Sequence, residues 1–342
     1  MPRQPRRQLI RDLLRSSEPS VRWRTRVNVL GEPRSTPAVR HLEREIVQSV
    51  RVRRLLSHPA AGERGGSAGG VYQYWQGIHW VLLSLVELGY PAGEPELEGA
   101  IDRSLRLWLR PHYFRSYAAD EAAARPPTPG VPVLRGRARR CASQQGAALY
   151  YAVKLGFSDA RSGQLSKLLQ GWQWPDGGWN CDKDPRADTS SFMETLLPMR
   201  GLTAYSVVAG ESAARRASAR AAEVFLRRRL FRRASGGAVI RPDFLQLHYP
   251  LYWHYDVLGG LKGLAEVGRI ADPRCVEALD WLEAHELSTG GWPAEARYYR
   301  VSRTFKGSSE YVDWGQPNRR RANEWVTTDA LMVLRAAGRL AA

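Results

Sequence analysis

Four of the chain's six Gly-Gly pairs, at 69–70, 177–178, 236–237 and 290–291, each lie ahead of an apolar segment, and their spacing limits what this chain can fold into more than any other feature. The pairs are 108, 59 and 54 residues apart. The first interval is about twice the others, as if one repeat had lost its glycines. A period of roughly 55 residues is the length of a repeated supersecondary unit. The segments that follow the pairs are YQYWQGIHWVLLSLVELG (72–89), TSSFMETLLPMRGLTAY (189–205), YWHYDVLGGLKGLAEVG (252–268) and NEWVTTDALMVLRAAG (323–338). The repeat without a pair supplies CASQQGAALYYAVKLG (141–156). All five are apolar on most faces, as buried helices are. Four of them end in glycine, the usual helix-closing residue. Thr189 and Asn323 stand where N-caps are expected.

Between these segments lie charged, amphipathic stretches at 37–56, 95–110, 160–172, 212–230 and 273–287, read as outer helices. Strand-like alternation is missing. The expected fold class is therefore all-α, five to six helical hairpins, each pairing a half-exposed helix with a buried one. Such hairpins close into an α/α toroid or stack as an open solenoid. Residues 1–36 read as a basic helical extension, with helices at about 6–15 and 18–30. Residues 37–342 read as the toroid domain.

No apolar run approaches the ~18 residues that a membrane span needs. The basic N-terminus lacks the apolar core of a secretory signal. Three widely spaced cysteines, Cys141, Cys181 and Cys275, form no disulfide framework and fit a reducing cytoplasm. The net charge of +17 raises nucleic acid as a partner. Only five of the 51 basic residues are lysine, however, and the arginines are spread along the whole chain. The local clusters are Arg135, Arg137, Arg139 and Arg140, then Arg227 to Arg229 with Arg232 and Arg233, then Arg319 to Arg321. Their guanidinium forks suit phosphate oxygens.

QWPDGGWN (173–180) places Gln173, Asp176, Gly177, Gly178 and Trp179 in the pattern of the QW motif, and ELSTGGW (286–292) repeats it with Glu286 for the glutamine. With the hairpin period, this resembles the squalene cyclase and protein prenyltransferase superfamily over residues 37–340. The resemblance implies an α/α toroid whose motif ties outer helix to inner helix. It also implies an isoprenoid or other apolar substrate held in a central cavity near the starts of the inner helices.

Three chemistries remain open at that end. In acid-initiated cyclisation, Asp188 would supply the proton, although the family's DxDD motif is missing. His254, Asp256 and Glu194 would complete the catalytic set. Trp75, His79, Gln144, Tyr252, Trp253, Tyr255 and Glu324 would line the cavity, the aromatics steadying carbocations. In zinc-dependent thiol alkylation, Cys181, Asp182 or Asp188, and His254 would hold zinc as in prenyltransferases, with the arginines receiving a prenyl diphosphate, or Cys141, Cys181 and His254 would hold it as in lanthionine cyclases. Neither the D-x-C nor the Cys-His-Gly signature of those enzymes is present. In the third, a basic toroid binds phosphate-rich ligands or nucleic acid without catalysis. Between His254 and Asp256, two residues apart, only one can face inward, and the reading favours His254.

Overall fold

The computed structural model describes residues 6–57, 68–118, 130–302 and 309–340; the first five residues of the basic extension lie outside these. In chain order the α-helices of six or more residues are α1 Arg6–Leu14, α2 Pro19–Arg24, α3 Pro37–Gln48, α4 Val50–Leu56, α5 Ile78–Leu88, α6 Glu98–Trp108 and α7 Ala142–Lys154. They continue with α8 Ala160–Trp172, α9 Phe192–Ala209, α10 Ser212–Leu226, α11 Val257–Glu266, α12 Val276–Ala284 and α13 Glu324–Ala336. The chain is all-α and alternates outer with inner helices. The five inner segments are α5, α7, α9, α11 and α13. Each ends at a left-handed glycine: Gly89, Gly156, Gly210, Gly268 or Gly338.

The departures have local causes. The third inner helix runs on past Tyr205 to Gly210, the first residue there that closes a helix. Ser191, not Thr189, occupies its N-cap. Asn323 does cap α13, accepting from Trp325 N at 3.0 Å and Val326 N at 3.2 Å. The stretch 37–56 is two helices, because Ser49 turns extended and caps α4 through its own side chain. Short strands also occur where none were expected. β1 Ser116–Ala118, β2 Val131–Leu134 and β3 Arg137–Ala138 form one sheet, and β4 Arg300–Val301 pairs with β5 Ser309–Glu310.

The chain divides into two compact units. The first comprises Met1–Pro91, Arg228–Tyr252 and Asp256–Ala342. The N-terminal helices are built into it: Arg24 is buried and paired with Asp329 of α13. Lys262 of α11 bridges the same carboxylate, at 2.8 Å, and Glu87 of α5. Two cations and two carboxylates thus neutralise one another among three inner helices, the condition under which charge tolerates burial.

The second unit comprises Ala92–Arg227 with Trp253–Tyr255. Its centre is the pair α7 and α9, which approach backbone to backbone. A Cβ on Gly146 would lie 2.3 Å from Pro198 N, and one on Gly201 would lie 2.5 Å from Gly146 O. Pro198 carries no N–H there and Gly146 no side chain, so nothing separates the two helices.

The same loop is built twice, once in each unit. Trp174 N bonds Gly178 O at 2.8 Å, Trp179 Nε1 bonds Leu169 O at 2.9 Å and Trp179 N bonds Thr195 Oγ1 at 3.2 Å. Correspondingly, Leu287 N bonds Gly291 O at 2.9 Å, Trp292 Nε1 bonds Leu282 O at 2.7 Å and Trp292 N bonds Thr327 Oγ1 at 3.0 Å. Gln173 donates to the Ala217 carbonyl of α10 at 2.8 Å, and Asp176 accepts from Ser190 N at 2.7 Å. These side chains join helices and carry no chemistry of their own. Among the described residues, no helix is long and apolar enough to cross a membrane.

Candidate metal centre

Three ligand-type side chains, distant in sequence, converge in the second unit. The chain turns from β2 to β3 at Arg135 and Gly136, both with positive φ. It then pairs Arg139 with Asn180 in a parallel bridge. That bridge sets Cys141, at the N-cap of α7, beside Cys181 on the loop that follows Trp179. Glu194, in the first turn of α9, reaches across the close α7–α9 contact and accepts from Ser143 N at 3.0 Å. The two sulfurs and a Glu194 oxygen all lie within 4.8 Å of one another, and Cys181 Sγ is 3.5 Å from Glu194 Oε1.

The electrostatics are those of three acids sharing one place. The Cys181 thiol donates to Glu194 Oε1, and the two neighbouring sulfurs act on each other so that the Cys141 pKa is lowered and that of Cys181 raised. Burial and Glu194 push Cys181 further up. Burial also raises Glu194, against the Ser143 amide, Cys181 and Arg140, which pull it down. All three groups cannot ionise together without a compensating cation.

That donor set fits zinc. With sulfur arms of about 2.3 Å and an oxygen arm of about 2.0 Å, tetrahedral geometry separates a sulfur from an oxygen by ~3.5 Å and two sulfurs by ~3.8 Å. The Cys181–Glu194 distance already has that value. Two thiolates with one carboxylate suit zinc better than magnesium or calcium, which take oxygen. Three protein ligands would leave a fourth position for water or substrate, and all three residues are half-buried.

The residues that converge differ from the expected ligand set. His254 is outside the cluster; it is half-buried and stacks on Trp253 at 4.2 Å. Glu194, expected as a catalytic acid, stands beside the two thiols instead. The inward choice between His254 and Asp256 is also reversed. Asp256 is buried, caps α11 by accepting from Gly259 N at 2.7 Å, and pairs with His248 Nδ1 at 3.0 Å. Asp188 is exposed on the loop before α9. The burial that an alkene-protonating carboxyl requires is found instead at Glu310.

The expected cavity wall is divided. Gln144 is half-buried in the first turn of α7, near the thiols. Tyr255 belongs to the core of the second unit, between Phe192 and Phe225. Trp75, His79 and Tyr252 share one aromatic cluster in the first unit: Trp75 stacks on Tyr252 at 4.3 Å and His79 packs edge-on against Trp80 at 4.7 Å. Burial lowers the His79 pKa to about 3, so its ring is neutral. Tyr252 donates to Glu310, whose carboxyl burial pushes up to about 8. Sequence reading missed Glu310 because it stands in a polar loop; only the partnering tyrosine hints at its burial. Glu324 is exposed and borders a pocket of about 480 Å³ with Glu18, Arg51, Asp313, Trp314 and Arg321. Part of the basic surface is internally paired: Arg232 with Glu277, and Arg227 with the Asp176 carbonyl.

The chain matches no protein-family model and no curated protein. Among solved structures it is similar to the unsaturated glucuronyl hydrolase of Bacillus sp. GL1, described as responsible for the degradation of glycosaminoglycan. The two share 13% identity over 93% of this chain and 84% of that chain, with a TM-score of 0.43. At that level of likeness the activity of the neighbour does not transfer.

Proposed function

We propose that this chain is a helical-hairpin enzyme with a zinc centre at Cys141, Cys181 and Glu194, activating a substrate thiol for alkylation. The convergence of two thiols and a carboxyl from three separate segments carries the reading. Bound there, zinc would keep a substrate thiol ionised at neutral pH. Three anionic protein ligands would leave that thiolate electron-rich, which suits nucleophilic attack better than carbonyl polarisation. The substrate sulfur would attack a carbon bearing a leaving group; the carbon–oxygen bond of a prenyl diphosphate would break and diphosphate would depart. Arg140 adds positive potential at the site, lowering the pKa of both Cys141 and Glu194. Arg135, Arg137 and Arg139 stand in the adjoining segment, where a departing diphosphate could be received.

A second reading, acid-initiated cyclisation, is favoured by one observation. Glu310 is a buried carboxyl among Trp75, Tyr252 and Trp314. It would then supply the proton that Asp188 was expected to give.

Elemental analysis of tag-free protein, purified without chelator, tests the leading reading. Near one zinc per chain is expected, lost in Cys181→Ala and bound at least tenfold more weakly in Glu194→Gln. Metal-free protein that also takes up no added zinc would overturn the reading and leave Glu310→Gln as the variant to assay.

A further inference from the structure

We propose that Cys141 and Cys181 form a reversible disulfide, so that the pair available to a metal when reduced is closed to it when oxidised. The inference uses the site of the zinc reading but needs no metal. Both residues are free cysteines and half-buried, within reach of a small oxidant. Their sulfurs are already within 4.8 Å. The Arg139–Asn180 bridge holds the two backbones side by side, with Cys181 next to Asn180 and Cys141 two residues beyond Arg139. A disulfide needs the sulfurs at about 2.05 Å with Cα atoms within roughly 7 Å. Residues 181–191 carry neither helix nor strand, so this loop can supply the remaining approach without unwinding α7 or α9. Cys141 is itself the N-cap, ahead of the first helical residue, and only its carbonyl, which accepts from Gln144 N at 3.1 Å, is tied into the helix.

The oxidant is hydrogen peroxide or an organic hydroperoxide. One sulfur attacks a peroxide oxygen, the O–O bond breaks, and the leaving hydroxide takes the thiol proton as water (or leaves as an alcohol). The sulfenic acid formed is displaced by the second sulfur, which makes the S–S bond and releases water. Two sulfurs together lose two electrons, which the peroxide gains. A dithiol reductant reverses the step. The third cysteine is the built-in control: Cys275 is buried, and burial pushes its thiol up to about 12.

The test uses the full chain, stripped of metal with chelator and then treated with hydrogen peroxide. Remaining thiols are alkylated and non-reduced peptides mapped by mass spectrometry. The expected product has lost two hydrogens, joins the peptides of Cys141 and Cys181, leaves Cys275 alkylated, and reverts with dithiothreitol. Cys141→Ser should give no cross-link at the same dose. Persistence of both thiols, oxidation to sulfinic acid without a cross-link, or a cross-link through Cys275 would overturn the proposal. Zinc added before peroxide separates the two readings. Slowing by tenfold or more is expected if the metal sits on the pair. An unslowed disulfide overturns the zinc centre and keeps the disulfide, whereas zinc binding without any disulfide does the reverse.

Discussion

Replacing Glu310 with glutamine should remove a pH dependence that the wild-type chain carries. Glu310 is fully buried and bonded to Tyr252, and its carboxyl is raised from 4.5 to about 8, chiefly by burial. Between those values the unfolded chain has lost the proton while the native chain keeps it. Native protein therefore binds more protons, and stability falls as pH rises, by about 1.4 kcal/mol per unit. Across roughly 3.5 units the loss reaches about 5 kcal/mol and then levels off above pH 8. Glutamine has the shape of the protonated carboxyl and no charge to desolvate. The variant should match wild type within about 1 kcal/mol at pH 5 and exceed it by several kcal/mol at pH 9. Urea unfolding of both proteins, at half-unit steps from pH 5 to 9 and constant ionic strength, gives the difference directly. Every other titrating group cancels in that difference. A difference that stays flat within 1 kcal/mol, or that grows in favour of wild type, would show that Glu310 is ionised in the native chain and refute the reasoning.

Two other substitutions probe the frame around the centre. Gly146→Ala should cost at least about 1–3 kcal/mol in urea unfolding, because the new methyl would meet Pro198 N at 2.3 Å and its Cα and ring Cδ at 2.6 Å; it should also weaken zinc binding by moving Ser143 away from Glu194. Asp256→Ala should cost about 2–3 kcal/mol through loss of the α11 cap and of the buried His248 partner, measured as a lower urea midpoint, with zinc content unchanged.

The hairpin order was legible because it rests on local signals. Apolar segments ending in Gly89, Gly156, Gly268 and Gly338 mark the inner helices, since left-handed closure singles out glycine. The indole-to-carbonyl ties of Trp179 and Trp292 were likewise announced by two copies of one loop sequence. Helix boundaries were less legible wherever a polar residue could cap instead of continue, as at Ser49 and Ser191.

The site was half legible, and the missing half is three-dimensional. Cysteine is rare enough here for Cys141 and Cys181 to stand out, and both lie in the ligand-type cluster. The third partner was expected to be His254, from the Cys and His ligand sets of the enzymes the chain resembles and from its place at an inner-helix start. What brings Glu194 instead is the register of α7 against α9, fixed where Gly146 meets Pro198 and Gly201 meets the Gly146 carbonyl. From that contact the first turns of the two helices follow rigidly, and Ser143 N arrives at the Glu194 carboxylate. Each residue in the chain of cause reads singly as ordinary core: a glycine, a proline, a serine. Their consequence is a position for one carboxyl, and a sequence pattern states composition along a helix without stating which neighbour lies opposite. A metal centre assembled across such a contact should therefore fail when the contact is spaced apart, even with every ligand present. This is the outcome that zinc titration of Gly146→Ala measures.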